Sequence, residues 1–186
     1  MQKPKNYLIN TYHHLYNRGA NRDIVFFSNS DYKNFLIKLK RYKDKYMIQI
    51  NCYCLLPNHF HLFVKQLTED FTIGKFISDL INSYTRTINI KYKRSGVLFE
   101  GKTKSKLIND ERYFLWLCKY ILNNPVKALL VTKPELWQYS SAKEYFGEKD
   151  IEYTSTFDIL NRFNNIESFK DFINQDNNKF DYTVLF

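Results

Sequence analysis

Pro57-Asn58-His59-Phe60-His61-Leu62-Phe63-Val64 is the stretch on which the reading of this chain turns. Pro57-Asn58 makes a tight turn, residues 47–56 before it form a β-rich run, and residues 59–65 form the partner strand of a hairpin. Side chains alternate faces along a strand, so His59 and His61 point one way and Phe60 the other. Two imidazoles side by side on a sheet face can hold one divalent cation. Only four histidines occur in the 186 residues, so a pair at this spacing is not an accident of composition. Two ligands rarely complete a metal site, and the plainer alternative is a structural pair satisfied by backbone carbonyls. The choice depends on what else stands beside the pair.

Working outward, residues 7–17 partly alternate and read as a strand, followed by a turn at Arg18-Gly19-Ala20-Asn21. Ser30 or Asp31 can cap a helix over about 31–45, with Tyr32, Phe35, Leu36, Leu39 and Tyr42 on one stripe. Residues 70–92 form the clearest helix, with Ile73, Phe76, Ile77, Leu80, Ile81, Tyr84 and Ile88 at the helical period. Ser95-Gly96 breaks it, and residues 102–108 make a short basic strand. Asn109 or Asp110 then caps a helix that Pro125 is expected to stop at Asn123 or Asn124. The order β-α-β-β-α-β predicts an α+β fold: a ferredoxin-like split βαβ antiparallel sheet with two helices on one face, plus an extra helix. The chain divides into a unit over 1–146 and an acidic helical tail over 147–186, with one or two short helices in the tail.

The formal charge is +9 and is unevenly spread. Residues 140–186 hold 5 Lys/Arg against 9 Asp/Glu, so the preceding part is more basic than the whole. The densest basic block is 86–106, where Arg86, Lys91, Lys93, Arg94, Lys102, Lys104 and Lys106 face Glu100 alone, with Tyr84, Tyr92 and Phe99 interleaved. Cations neutralise phosphates and flat rings stack on bases, so this is the composition of a single-strand nucleic-acid surface; a solvated helix face is the bland alternative. Arg18, Arg22, Arg86, Arg94, Lys102 and Lys104 are the phosphate-contact candidates. The three cysteines, Cys52, Cys54 and Cys118, give neither a disulfide framework nor a zinc ribbon and read as reduced thiols of a cytoplasmic protein. No signal peptide and no membrane-length apolar run are present.

The extra helix carries the second constellation. Tyr120 and Asn124 are four apart and share a face. A phenol can attack phosphorus to give a covalent phosphotyrosine, and an amide oxygen can serve as a third ligand beside two histidines. Taken singly, Tyr120 reads as a core tyrosine and Asn124 as the end of a helix before proline; the four residues together favour the chemistry. His13 and His14 straddle a strand, so only one faces the active side; His14 is the candidate for a place near the site, with a structural role as the favoured reading.

His-Phe-His with a downstream Tyr-Ile-x-x-Asn-Pro resembles the single-tyrosine HUH transposases of the IS200-like family, most of all their REP-associated branch. The blocks that carry the resemblance run in order: Tyr12-His13-His14 with Asn17-Arg18-Gly19-Ala20-Asn21-Arg22, Cys54 to Leu62, Ser83-Tyr84-Thr85-Arg86, Lys93 to Gly101, Tyr120 to Ala128, and Trp137 to Ser141. The resemblance implies a metal-dependent enzyme that cuts and rejoins single-stranded DNA at or near hairpins, assisted by Mg2+ or Mn2+. It implies His59, His61 and Asn124 as metal ligands and Tyr120 as nucleophile, in a monomer or homodimer. Relatives more often have Arg and an aromatic residue where Gly101-Lys102-Thr103-Lys104 stands, which leaves the DNA contacts there open. The competing classes are a nucleic-acid-binding module without cleavage and a metal hydrolase that activates water. The first needs neither the histidines nor the tyrosine, and the second usually brings carboxylates that are not close to this motif.

Overall fold

The computed structural model describes residues 7–147 and 153–175. Four strands, β1 (Tyr12–Arg18), β2 (Ile48–Leu56), β3 (His59–Gln66) and β4 (Lys104–Ile108), form one sheet in the order β2-β3-β1-β4. Every neighbouring pair is antiparallel. The helices α1 (Asn29–Lys45) and α2 (Ile73–Lys91) close the two split βαβ halves. This is the ferredoxin-like plan expected from the pattern, with both helices on one face. The third helix, α3 (Glu111–Lys127), lies on the opposite face, joined there by α4 (Ala142–Tyr145), α5 (Phe157–Leu160) and α6 (Ile166–Asn174).

The sheet therefore separates two cores. Leu15, Phe60, Leu62 and Val64 meet Phe35, Leu39, Phe76, Leu80 and Tyr84 of α1 and α2. Cys52, Cys54, Leu56 and Phe63 meet Phe114, Leu117 and Ile121 of α3. Burying each such side chain contributes about 1.5–3 kcal/mol. In β2 the two sets change parity: Ile48 and Ile50 face the α1/α2 side, and so do Tyr53 and Leu55. A register shift between Ile50 and Cys52 makes this possible; the extra residue, Asn51, reverses the alternation.

Three boundaries differ from the sequence expectation, while the cap of α3 is one of the two residues expected. The first strand begins at Tyr12 rather than residue 7, because Asn10 takes a φ of 60° and turns the chain. The cap of α1 is Ser28 rather than Ser30 or Asp31; Asp31 supplies the reciprocal half of the capping box, its Oδ2 accepting from the backbone of Ser28 at 2.9 Å. The cap of α3 is Asp110, which accepts from the amide of Tyr113 at 2.8 Å. Pro125 does not stop α3, which continues to Lys127. Only one N–H is lost in the last turn, and burial of Pro125 against the rest of the helix face offsets it. Asn124 thus lies inside a helix rather than at its end.

The described part of the tail, 153–175, packs into the α3-side core through Ile159, Phe169 and Ile173; residues 148–152 and 176–186 of the expected tail lie outside the described residues. Asn123 Nδ2 donates to the carbonyl of Ile173 at 3.0 Å and Lys119 Nζ to that of Gln175 at 2.6 Å, which ties α6 to α3. Asp158 accepts from Tyr12 Oη at 2.7 Å and Gln49 Nε2 at 2.8 Å, and pairs with Lys65 at 3.4 Å. All three cysteines are buried and free. Among the described residues no helix is long and apolar enough to cross a membrane.

Phe169 is fully buried, so Phe169→Ala is expected to cost about 3–5 kcal/mol of unfolding free energy. Urea denaturation checks this, and a loss below about 1 kcal/mol would mean that α6 does not belong to the core.

Candidate active site

β3 and β1 build the centre of the site. Their register sets Tyr16 opposite His61 and Arg18 opposite His59, and β4 adds Lys104 opposite Tyr16. Side chains of one parity therefore collect on the α3 side: His14, Tyr16, His59, His61 and Lys104. Phe60 turns into the other core and is fully buried, as the alternation requires. From above, α3 lowers Tyr120 onto this row, its ring centroid 5.4 Å from that of His61 in an edge-to-face arrangement. Trp116, one turn earlier on α3, stacks on Tyr120 at 5.2 Å, and Lys127 brings its Nζ to 5.3 Å from the Tyr120 centroid. Asn124, one turn later, brings its side-chain amide beside His59.

The histidines are polar groups in a mostly apolar setting, and each is held at Nδ1. His59 Nδ1 is 2.7 Å from Asn58 Oδ1, and His61 Nδ1 is 2.9 Å from His14 Nε2. On the other side of the rings, His61 Nε2 and Asn124 Nδ2 are buried with no hydrogen-bond partner. Two imidazole nitrogens and an amide that turns freely between its oxygen and nitrogen ends suit a divalent cation of intermediate hardness. The donor set fits the metal site expected from the sequence. Among the described residues no cluster of three His, Cys, Asp or Glu side chains could hold a metal; a third protein ligand beside the two histidines would have to be an amide such as that of Asn124.

Burial keeps the imidazoles neutral, the form that binds metal. It lowers the pKa of His14 to about 3, with the Lys106 cation adding to the effect. It lowers His59 to about 4, partly opposed by the Asn124 amide beside it, and takes His61 well below the usual imidazole range.

The six expected phosphate contacts do not form one patch. Arg18, Arg22 and Lys104 line a cavity of about 300 Å3 together with Tyr16, His59 and His61. Lys104 also borders a groove of about 890 Å3 between α2 and β4, where Lys102 lies. Arg86 and Arg94 line a further depression beside the end of α2, joined to that groove through Asn82. Three of the six are partly engaged: Arg18 pairs with Glu100, the Arg94 guanidinium covers Phe27 at 5.3 Å, and Lys104 Nζ stands over the Tyr16 ring at 5.7 Å. His14, read from the sequence as structural, is in contact with His61, and Tyr16, Trp116 and Lys127 were not singled out. The parity of β1 relative to β3 is the signal that would have found His14 and Tyr16.

A family model described as "Transposase IS200 like" matches residues 7–124, a span that includes both histidines, Tyr120 and Asn124. The chain belongs to the IS200-like transposase family. Transposases cut and join DNA, and the family assignment makes this chain a DNA-processing enzyme by descent. A Haemophilus influenzae protein assigned as a REP-associated tyrosine transposase is 28% identical over 123 residues, covering 60% of this chain and 69% of that protein. The solved structure of a REP-associated tyrosine transposase bound to a REP hairpin superposes with a TM-score of 0.67 at 15% identity, over 83% of this chain and 90% of that one. At that identity the superposition speaks for a shared fold: the ferredoxin-like sheet with α3 on its open face.

The pKa shifts fix a pH dependence. An unfolded imidazole titrates near 6.5, above the folded values of about 3 for His14 and about 4 for His59. Between those values the unfolded chain holds more protons, so the contribution to stability is complete above about pH 6.5 and is lost as pH falls toward 4. Imidazole NMR signals of His14 and His59 in the folded protein are expected to stay in the neutral position at pH 5; signals moving with a midpoint near 6.5 would refute the buried site.

Proposed function

We propose that this chain nicks and rejoins single-stranded DNA at or near hairpins, with Tyr120 as the nucleophile. What carries the reading is the meeting of Tyr120 with the His59/His61 pair on one sheet face, where Asn124 from the next helical turn reaches His59. A binding module has no use for that meeting. Two supports come from relatives: one is assigned as a REP-associated tyrosine transposase, and the other was solved on a REP hairpin.

In this reading a single strand enters over the cavity lined by Arg18, Arg22 and Lys104 and continues along the β4/α2 groove past Lys102 toward Arg86 and Arg94. The basic side chains neutralise its phosphates and set its register. His59, His61 and Asn124 would hold a divalent cation, Mg2+ or Mn2+, which when bound neutralises charge on the scissile phosphate. Trp116 fixes the plane of the Tyr120 ring, and the Lys127 cation nearby favours the phenolate. Tyr120 Oη attacks phosphorus; the P–O3′ bond breaks, and the 3′ oxygen leaves and takes up a proton. The 5′ phosphate stays on Tyr120 as a phosphodiester. A 3′ hydroxyl attacking that phosphotyrosine reverses the step and joins strands without an external energy source, because the bond energy is conserved. All these side chains come from one chain, so a monomer suffices to build the site.

The first experiment is a denaturing gel of the protein with labelled single-stranded hairpin DNA and Mn2+, beside Tyr120→Phe. A covalent protein–DNA band is expected in the wild type alone, with DNA affinity unchanged in the variant. Tight binding without any adduct would favour the non-catalytic binding module, and equal loss of binding in Tyr120→Phe would remove Tyr120 from its role.

Affinity is expected to fall steeply with salt, each phosphate contact adding about 0.7 to the slope of log K against log salt for a single strand. Lys104→Ala should lower that slope by roughly one contact's worth. A slope that does not respond to Lys104→Ala, Arg22→Ala or Lys102→Ala would mean that the strand runs elsewhere.

A further inference from the structure

His61 and His14 face each other across β3 and β1 with Nδ1 and Nε2 2.9 Å apart, and both rings are shut off from solvent. A neutral imidazole carries one N–H, so the pair has two possible arrangements. When His14 donates from Nε2, His61 must hold its own proton on Nε2, and that nitrogen cannot bind a cation. When His61 donates from Nδ1, its Nε2 carries a bare lone pair. His61 Nε2 is buried, and among the described residues nothing hydrogen-bonds to it, so none of them competes for that lone pair.

We infer that His14 is a positioning residue for the metal site: it accepts the Nδ1–H of His61 and so fixes both the tautomer and the rotation of that ring. The inference rests on the metal site proposed above. Two further observations support it. The rings of His14, Tyr16 and His61 form a near-parallel triangle, with centroids 4.7 Å (His14–Tyr16), 5.1 Å (His14–His61) and 6.0 Å (Tyr16–His61) apart, so His14 is packed against its partner and against Tyr16 at once. The neighbouring ligand is built the same way: Asn58 Oδ1 lies 2.7 Å from His59 Nδ1, and the amide is aimed by its own Nδ2, which donates to the carbonyl of Arg22 at 3.2 Å. Both histidines are thus backed at Nδ1 and present Nε2.

Metal-binding histidines are commonly backed by a carboxylate or a carbonyl. Here the group behind His61 is a second imidazole. A carboxylate would orient the ring equally well, but it would put a negative charge beside the phosphodiester that this site has to admit. A neutral imidazole orients without that repulsion. The arrangement leaves His14 Nδ1 buried without a partner, a cost of the order of a lost hydrogen bond, which a purely structural pair would gain nothing by bearing.

The test is Mn2+ binding to the DNA-free protein, followed by loss of the free-ion electron paramagnetic resonance signal. Wild type is compared with His14→Leu and His14→Gln, and circular dichroism and thermal unfolding verify the fold of each. Glutamine offers an amide oxygen close to where His14 Nε2 stands and accepts the same N–H; leucine fills the space and accepts nothing. Leu is expected to weaken Mn2+ binding about 10–100-fold, and Gln to stay close to wild type. A Leu variant as tight as wild type, or a Gln variant as weak as Leu, overturns the inference. Should the Leu variant not fold, nitrogen-15 NMR of His61 in the wild type decides instead: a proton on Nδ1 is expected, and a proton on Nε2 refutes the role. A wild type that binds no Mn2+ removes the metal site itself and this inference with it, an outcome distinct from loss in the Leu variant alone.

Discussion

A strand buried on both faces has no side to spare for polar groups, and β3 is such a strand. Phe60, Leu62 and Val64 fill one core and Phe63 the other, yet His61 is 2% exposed among them. An imidazole in that position has to be neutral and has to have its nitrogens accounted for, because an unsatisfied buried polar atom costs about as much as a hydrogen bond is worth. The neighbourhood is arranged around that demand. β1 offers His14 at one nitrogen, the turn before β3 offers Asn58 to the companion histidine, and α3 closes over the row with Tyr120 and Asn124. Among the described residues Nε2 of His61, Nδ1 of His14 and Nδ2 of Asn124 are left over, and exceptions of this kind collect where a protein meets a ligand.

Much of this was legible in the chain. The His-Phe-His alternation fixed which residues share a face, and the helical period of 73–88 located α2, because period-2 and period-3.6 patterns are local. The order of elements then selected the split βαβ plan, since hairpins and right-handed crossovers leave few alternatives. What was not legible depended on contacts between distant positions. His13 and His14 point to opposite faces by alternation, which singled out His14 as the one that could stand near the site; that it backs His61, 47 residues away, depends on the register of β1 against β3. The side of the sheet taken by α3 was likewise open, because its residues are apolar around much of its girth: Phe114, Trp116, Leu117, Ile121 and Leu122 are all buried. Pro125 misled for a different reason. Proline is costly in a helix interior, but one missing N–H in a final turn is cheap.

The charge distribution also divides more finely than composition suggested. Part of the basic excess lines a path from the histidine cavity over the edge strand β4 to the end of α2, a second part lies on α1, and the described tail packs into the α3-side core. Asp158 is spent internally, gathering Tyr12, Gln49 and Lys65 from three strands. Part of the tail's negative charge is therefore structural, tying α5 to the sheet. A segment that looked from its composition like an appendage shares a core with the helix that carries Tyr120.

The bulge at Asn51 ties the chain's capacity for change to its arithmetic. On either side of it β2 reads as a run of apolar residues, and most single substitutions there would exchange one core side chain for another. Loss of Asn51 is different in kind. Ile50 stands opposite Val64 and Cys52 opposite Phe63, so without the extra residue these two would follow each other as neighbouring rungs, and Tyr53, Leu55 and the cysteines would keep the faces they have now. The strand thus carries one residue more than its alternation requires. Descendants of this sequence can shorten β2 at that one place without turning a core side chain toward the wrong layer, whereas a deletion on either side of it removes a residue the alternation needs.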